Sequence, residues 1–260
     1  MTTDLPLLPV VIIAALFGAV IGSFLNVCIL RWPEDQSVVR PPSRCPRCGA
    51  GLKPWDNIPV LSWMLLRARC RNCGEPISVM YPLVELATAA IWAVMAWRYG
   101  LSLEALRGAV FGSILLGIAM TDARKYIIPD EFSLGGLVIG LLFSVAGGLP
   151  ALGTAVLGAA VGFGVLWLVG TLGTWLFKKD AMGGGDIKMM AMVGAFLGWQ
   201  GVLLTIFLGA LLGTIIFVPI TLVKRDKLVP FGIFLALGAA ATYAAGPALI
   251  AWYRAYVIGA

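Results

Sequence analysis

The sequence predicts an all-α polytopic membrane protein with about eight transmembrane helices and one cytoplasmic zinc-binding loop. Three observations carry that expectation. Of the 260 residues, 60% are hydrophobic and only 12% are charged, against about 25% charged in soluble domains. The apolar residues fall into runs long enough to cross a hydrocarbon core of about 30 Å. The cations collect in alternate loops, as they do when a chain is threaded back and forth through a membrane.

The runs are read in order. The first, 8–30, has no Lys or Arg before it and is too long for a cleaved signal. Its tail carries Ser23 and Asn26, polar residues that bond to neighbouring helices in membranes. The second run is 81–97, with Glu85 near its start, the third 106–121, the short fourth 132–146, and the long fifth 151–177. From Met189 to Val223 no charge appears, and Gly198-Trp199-Gln200-Gly201 breaks the stretch. The piece before that break, 186–197, is short for a crossing, and short glycine-flanked helices tend to mark a site. The last run is 231–253.

Sixteen of the 19 Lys and Arg lie in the loops 31–80, after span three, before Met189 and after Val223. That face is predicted to be cytoplasmic, with both termini periplasmic. Basic loops flank 189–223 on both sides, so that segment crosses an even number of times. The last of these loops contributes Lys224, Arg225 and Lys227.

Residues 31–80 form the one large loop. They contain Cys45-Pro46-Arg47-Cys48-Gly49 and Cys70-Arg71-Asn72-Cys73-Gly74, with 21 residues between the pairs. Paired cysteines at this spacing read as a four-thiolate zinc site. Redox dithiols or disulfides are the alternative, and a cytoplasmic face disfavours stable disulfides. All four donors are thiolates, so the zinc is expected to be structural. The glycine after each pair permits the positive φ that such turns need.

The chain has no histidine, which excludes Ser-His-Asp and Cys-His catalysis and any His-ligated metal. Acid–base work falls to carboxylates. Asp122 ends the third run, where the helix dipole does not favour it, and a local ion pair with Arg124 or Lys125 is its ordinary reading. Asp186 follows Gly183-Gly184-Gly185, a backbone bare enough for another chain to approach. The predicted topology sets both acids at the same depth. One stands at a helix end and one at a helix start, and two acids in contrasting settings suit a water-activating dyad. Asp130, after Pro129 and before the fourth run, is expected to be a helix N-cap. Lys188 reads as an interfacial anchor reaching for lipid phosphate, or as a contact to substrate. Glu85 is either functional, as charges at that depth often are, or held by a hydrogen bond to Asn26 or Ser23. There is no phosphate-binding Gly-x-x-x-x-Gly-Lys-Ser/Thr pattern, and no nucleic acid is expected as a partner.

Taken together, these segments resemble the type IV prepilin peptidases. Gly183-Gly184-Gly185-Asp186 matches the family's Gly-x-Gly-Asp motif. Asp122 with Ile128-Pro129-Asp130 matches its upstream aspartate and Ile-Pro-Asp segment. The four cysteines, Gly22-Ser23-Phe24-Leu25-Asn26-Val27 and Tyr81-Pro82-Leu83-Val84-Glu85 match as well. So does Pro230-Phe231-Gly232, although Ile233 stands where proline is expected, a departure read as minor. The resemblance divides the chain into a first helix at 1–30, a zinc-binding loop at 31–80 and a membrane aspartyl peptidase domain at 81–260.

It implies cleavage of the basic leader of type IV prepilins or type II secretion pseudopilins at the bacterial inner membrane, on the cytoplasmic side. Asp122 and Asp186 would be catalytic. Gly183, Gly184, Gly185, Lys188, Asp130 and Glu85 would bind substrate or support the site. It also implies methylation of the new N-terminus using S-adenosylmethionine, an activity that the residues by themselves do not indicate. Membrane lipid is a further expected partner.

Overall fold

The computed structural model describes residues 6–223 and 230–258. Lys224, Arg225 and Lys227, which the topology reading used, lie outside the described residues. Among the described residues eight α-helices follow one another: α1 (Leu7–Arg31), α2 (Leu61–Leu65), α3 (Met80–Tyr99), α4 (Leu103–Lys125), α5 (Asp130–Val145), α6 (Gly148–Phe177), α7 (Gly184–Val223) and α8 (Phe231–Tyr253). Among the described residues no strand forms, only two isolated bridges, Arg44 with Gly51 and Arg69 with Pro76. Six helices (α1, α3, α4, α6, α7 and α8) are long and apolar enough to cross a membrane. The expected eight segments are reached when α5 is added and α7 is counted as two.

The chain divides into two compact units, 1–117 and 118–260. In the first, α1 packs on α3. Gly18 and Gly22 make the contact close: a methyl group at Gly22 would lie 2.7 Å from the Glu85 Cα. The opposite face of α1 leaves Leu8, Ile13 and Leu16 largely exposed, which is the surface a helix presents to lipid, not water.

In the second unit α6 packs on α7, α7 on α8, and α5 on both α6 and α7. Helix–helix association in lipid relies on small residues that let backbones touch, and Gly158 of α6 meets Gly194 of α7 in this way. The interruption foreseen near Gly198 is there, with Gly198 at φ 71, ψ 178. It reverses the chain. Gly162 faces both the Met190 carbonyl and the Val202 side chain, two residues that would be about 18 Å apart along a straight helix. α7 is therefore a hairpin of two arms. The first arm, 14 residues from Gly184 to Leu197, is only about 21 Å long. α5 is short too, 16 residues or about 24 Å, and leaves Leu134, Val138 and Leu142 exposed along one side.

The local expectations at Asp130 and Lys188 are corrected, and of the two partners expected for Glu85 it is Ser23, not Asn26, that bonds it. Asp130 is not the cap of α5: the cap position is Pro129, without a side-chain hydrogen bond. Asp130 is instead the first helical residue, and the α7 side chain of Lys188 takes its carboxylate, Nζ lying 2.8 Å from both Asp130 oxygens. That same pair removes Lys188 from the role of free lipid anchor. Asn26 bonds elsewhere. Its Nδ2 donates to the Tyr81 carbonyl at 3.0 Å, tying α1 to the start of α3.

Candidate functional site

Two sites are built from residues that the sequence singles out. The first lies wholly within residues 118–260. α4 runs on to Lys125, so Asp122 sits in its last turn, where it is 5% exposed. Tyr126, at φ 57, ends the helix and donates its N–H to the Asp122 carbonyl at 3.0 Å. The chain then turns back and buries Ile128.

Ile128 is the wedge of the site. A methyl group at Gly185 would lie 2.9 Å from its Cβ, and one at Gly232 would lie 2.8 Å from its Cδ1. Glycine at both positions lets the start of α7 and the start of α8 close on one side chain. Of the three consecutive glycines, Gly185 takes this approach, Gly183 borders an Asp186 oxygen, and Gly184 faces open space.

Asp186 stands in the first turn of α7, close enough to Asp122 for the two charges to act on each other. Its Oδ1 is buried and has no hydrogen-bond partner among the described residues. Asp122 is held from the other side: Oδ2 accepts the Ile233 N–H at 3.1 Å. The first N–H groups of a helix have no partner within it, and α8 directs those of Gly232 and Ile233 at the Asp122 carboxylate.

Here the departure at Ile233 matters more than the sequence reading allowed. A proline at that position has no N–H to give. Neither Ile233 nor Gly232 was singled out as a site residue. The signal available was Pro-Phe-Gly opening an apolar run, a helix start with free donors. Ile233→Pro isolates this hydrogen bond, because proline is tolerated in a first helical turn. It is expected to slow an Asp122-dependent reaction by roughly ten- to a hundredfold, the scale of one hydrogen bond to a charged group, with the thermal unfolding midpoint little changed.

The second site lies within residues 1–117. The two cysteine pairs form matching turns. Cys45 N–H donates to Ala50 O at 2.9 Å and Gly49 N–H to Cys45 O at 2.9 Å. Cys70 N–H donates to Glu75 O at 2.8 Å and Gly74 N–H to Cys70 O at 2.9 Å. Both glycines have φ of 72°, as their positions in the sequence suggested. The four sulfurs lie within 4.8 Å of one another, with Cys45 and Cys73 3.9 Å apart. A tetrahedral ion with metal–sulfur bonds of about 2.3 Å needs sulfurs about 3.8 Å apart, so the donor set could hold a metal ion.

Sulfurs this close compete for ionisation. The Ala50 amide and the Asn72 side chain pull Cys48 down to about 6. The Glu75 amide lowers Cys73, but desolvation and the hydrogen bonds of the other thiols outweigh it and push Cys73 up to about 12. Asn72 Nδ2 lies 3.5 Å from the Cys48 sulfur, and Arg71 clamps Asp56 with Nη2 at 2.7 Å. Arg71 and Asn72 thereby fix the second turn against the rest of the loop.

Glu85 is 7% exposed. Its Oε2 accepts the Val60 N–H at 2.7 Å, with Ser23 as a second partner. Val60 has φ 62, ψ −49, a region that costs a β-branched residue on the order of 1–3 kcal/mol. The carboxylate thus pins a strained turn of the loop to α3. Glu85→Ala is expected to destabilise the protein by about 1–3 kcal/mol, since a buried amide loses its acceptor. Thermal unfolding in detergent checks this.

Apolar helices, a thiolate cluster and two carboxylates joined at helix ends define a polytopic membrane protein with an acidic pair and a metal-competent loop. The chain belongs to the type IV leader peptidase family. The family profile of that description matches residues 109–218, and that of the bacterial peptidase A24 N-terminal domain matches 16–99. Curated relatives named prepilin leader peptidase/N-methyltransferase include one from Pseudomonas putida, 38% identical over 86% of this chain and 87% of the relative. One from Aeromonas hydrophila is 36% identical over 92% and 91%. One from Myxococcus xanthus is 43% identical over 76% of this chain and 59% of the relative. No solved structure matches the chain.

Proposed function

We propose that this chain removes the leader peptide of prepilins or pseudopilins with Asp122 and Asp186 as a catalytic dyad, and methylates the new N-terminus. The observation that carries the peptidase reading is the convergence of the two carboxylates around Ile128, with one Asp186 oxygen buried and unpartnered. Two acids so placed share one proton between them. One carboxylate takes a proton from water, and the resulting hydroxide attacks the scissile carbonyl. The other donates its proton to the carbonyl oxygen, and the proton then passes to the departing amine. The Ile233 N–H keeps Asp122 oriented throughout. The Asp130–Lys188 pair joins α5 to α7 two residues past Asp186 and holds that carboxylate in register, while Gly183, Gly184 and Gly185 keep the approach clear. Leader cleavage of a prepilin by Asn variants of the two acids is the test.

In this reading the protein lies in the inner membrane, with the acids at the cytoplasmic face and both termini periplasmic, as the basic loops favour. The division at residues 30 and 80 is kept. Cys45, Cys48, Cys70 and Cys73 bind one structural zinc ion, because four thiolates in a tetrahedron select it. The methyl donor is S-adenosylmethionine, as the relatives' names suggest. It supplies an electrophilic methyl group, and no step is assigned to residues of this chain.

A further inference from the structure

A cavity of about 480 Å³ lies between α1 and the loop that follows it. Its walls are of two kinds. Val20, Phe24 and Val27 of α1 line one side, and Val20 and Phe24 are half exposed, so that side opens toward lipid. Arg31 and Lys53 line the other. Arg31 stands in the last turn of a span-length helix, which sets it at the membrane surface.

Neither cation forms an ion pair among the described residues, although the Lys53 charge also acts on the Asp56 carboxylate that Arg71 holds. Arg31 donates to the Ser37 carbonyl at 2.9 Å, and Lys53 lies over the Trp55 ring, 5.4 Å from its centroid. Asp56 pairs with Arg71, and Glu85 accepts the Val60 amide. A half-apolar cavity with two cations at its head, neither in an ion pair, calls for an amphiphile with an anionic head. A basic leader peptide would be repelled. S-adenosylmethionine carries a net charge of +1 and would add to the positive charge.

We infer that this cavity binds an acidic phospholipid, its phosphate between Arg31 and Lys53 and an acyl chain along Val20, Phe24 and Val27. Two cations near the surface at the usual strength per residue correspond to roughly thirtyfold preference over a neutral headgroup.

The test is native mass spectrometry of the full zinc-loaded chain in detergent, titrated with phosphatidylglycerol or with phosphatidylcholine of the same acyl chains. Phosphatidylglycerol is expected to be retained roughly thirtyfold more tightly. Arg31→Gln with Lys53→Gln should bring it to the phosphatidylcholine level, while Arg98→Gln, outside the cavity, should leave the preference intact. Equal retention of the two lipids by the unaltered chain overturns the inference, and that comparison stands even if the double variant does not fold. Displacement of the lipid by glycerol 3-phosphate would assign the cavity to free phosphate. Displacement by S-adenosylmethionine would assign it to the methyl donor. Either result also overturns it.

Discussion

Asp122→Asn and Asp186→Asn are each expected to reduce leader cleavage by roughly 10² to 10⁴-fold, the range lost with a positioned acid or base. The double variant should be scarcely worse than either single one, because a pair that works as a unit is not additive. Asn keeps the shape and accepts the Ile233 N–H at position 122, so elution and zinc content should be unchanged. The measurement is single-turnover cleavage of a prepilin in detergent. A single variant that still cleaves at more than a tenth of the normal rate would remove that acid from the chemistry. A double variant whose losses multiply would show that the two act separately.

Metal removal should have the second large effect, on the loop instead of the helices. Purified protein is expected to hold about one zinc ion per chain. Cys45→Ser or Cys73→Ser should release it and make residues 43–77 sensitive to protease, with helical content retained. Small thiolate sites of this kind hold their folded form only with metal. The pH dependence follows from the thiols. A thiolate is the ligand, so zinc must displace each thiol's proton, and retention weakens as pH falls. Cys73, pushed up to about 12, is first to compete for a proton, and Cys48, held at about 6, is last. Zinc content after dialysis at a series of pH values gives the pH at which the metal is released. A metal-free preparation with an intact loop would dispose of the structural role.

Much of this arrangement was legible in the sequence, because membranes impose simple rules. Hydropathy marked the helices. Gly198 marked the reversal in α7, and the basic loops on either side required it. The cysteine spacing and the glycine after each pair announced the paired turns. What was not legible were contacts between segments far apart in the chain.

The sequence placed Asp122 beside Arg124 and Lys125, yet the hydrogen bond that holds it comes from position 233. Asp130 had every local mark of a cap, but a cation 58 residues away competes for its carboxylate. Ile128 looked like one letter of a motif. Its part as the wedge between Gly185 and Gly232 depends on three backbone paths converging, which no local pattern encodes. Val60 carried no signal at all, since positive φ at a β-branched residue runs against its propensity.

The two short helices of the second unit have a consequence for the bilayer itself. At about 21 and 24 Å, the first arm of α7 and α5 fall several ångströms short of a hydrocarbon slab of about 30 Å. α5 turns its aliphatic stripe outward, so the surrounding lipid must shorten to match it. Set in a bilayer, α5 would thin the membrane at that point and draw the headgroup layer toward the end where Asp130 and Asp186 stand. Hydrolysis beside a membrane needs a supply of water, and a dimple in the leaflet delivers it without a channel through the protein.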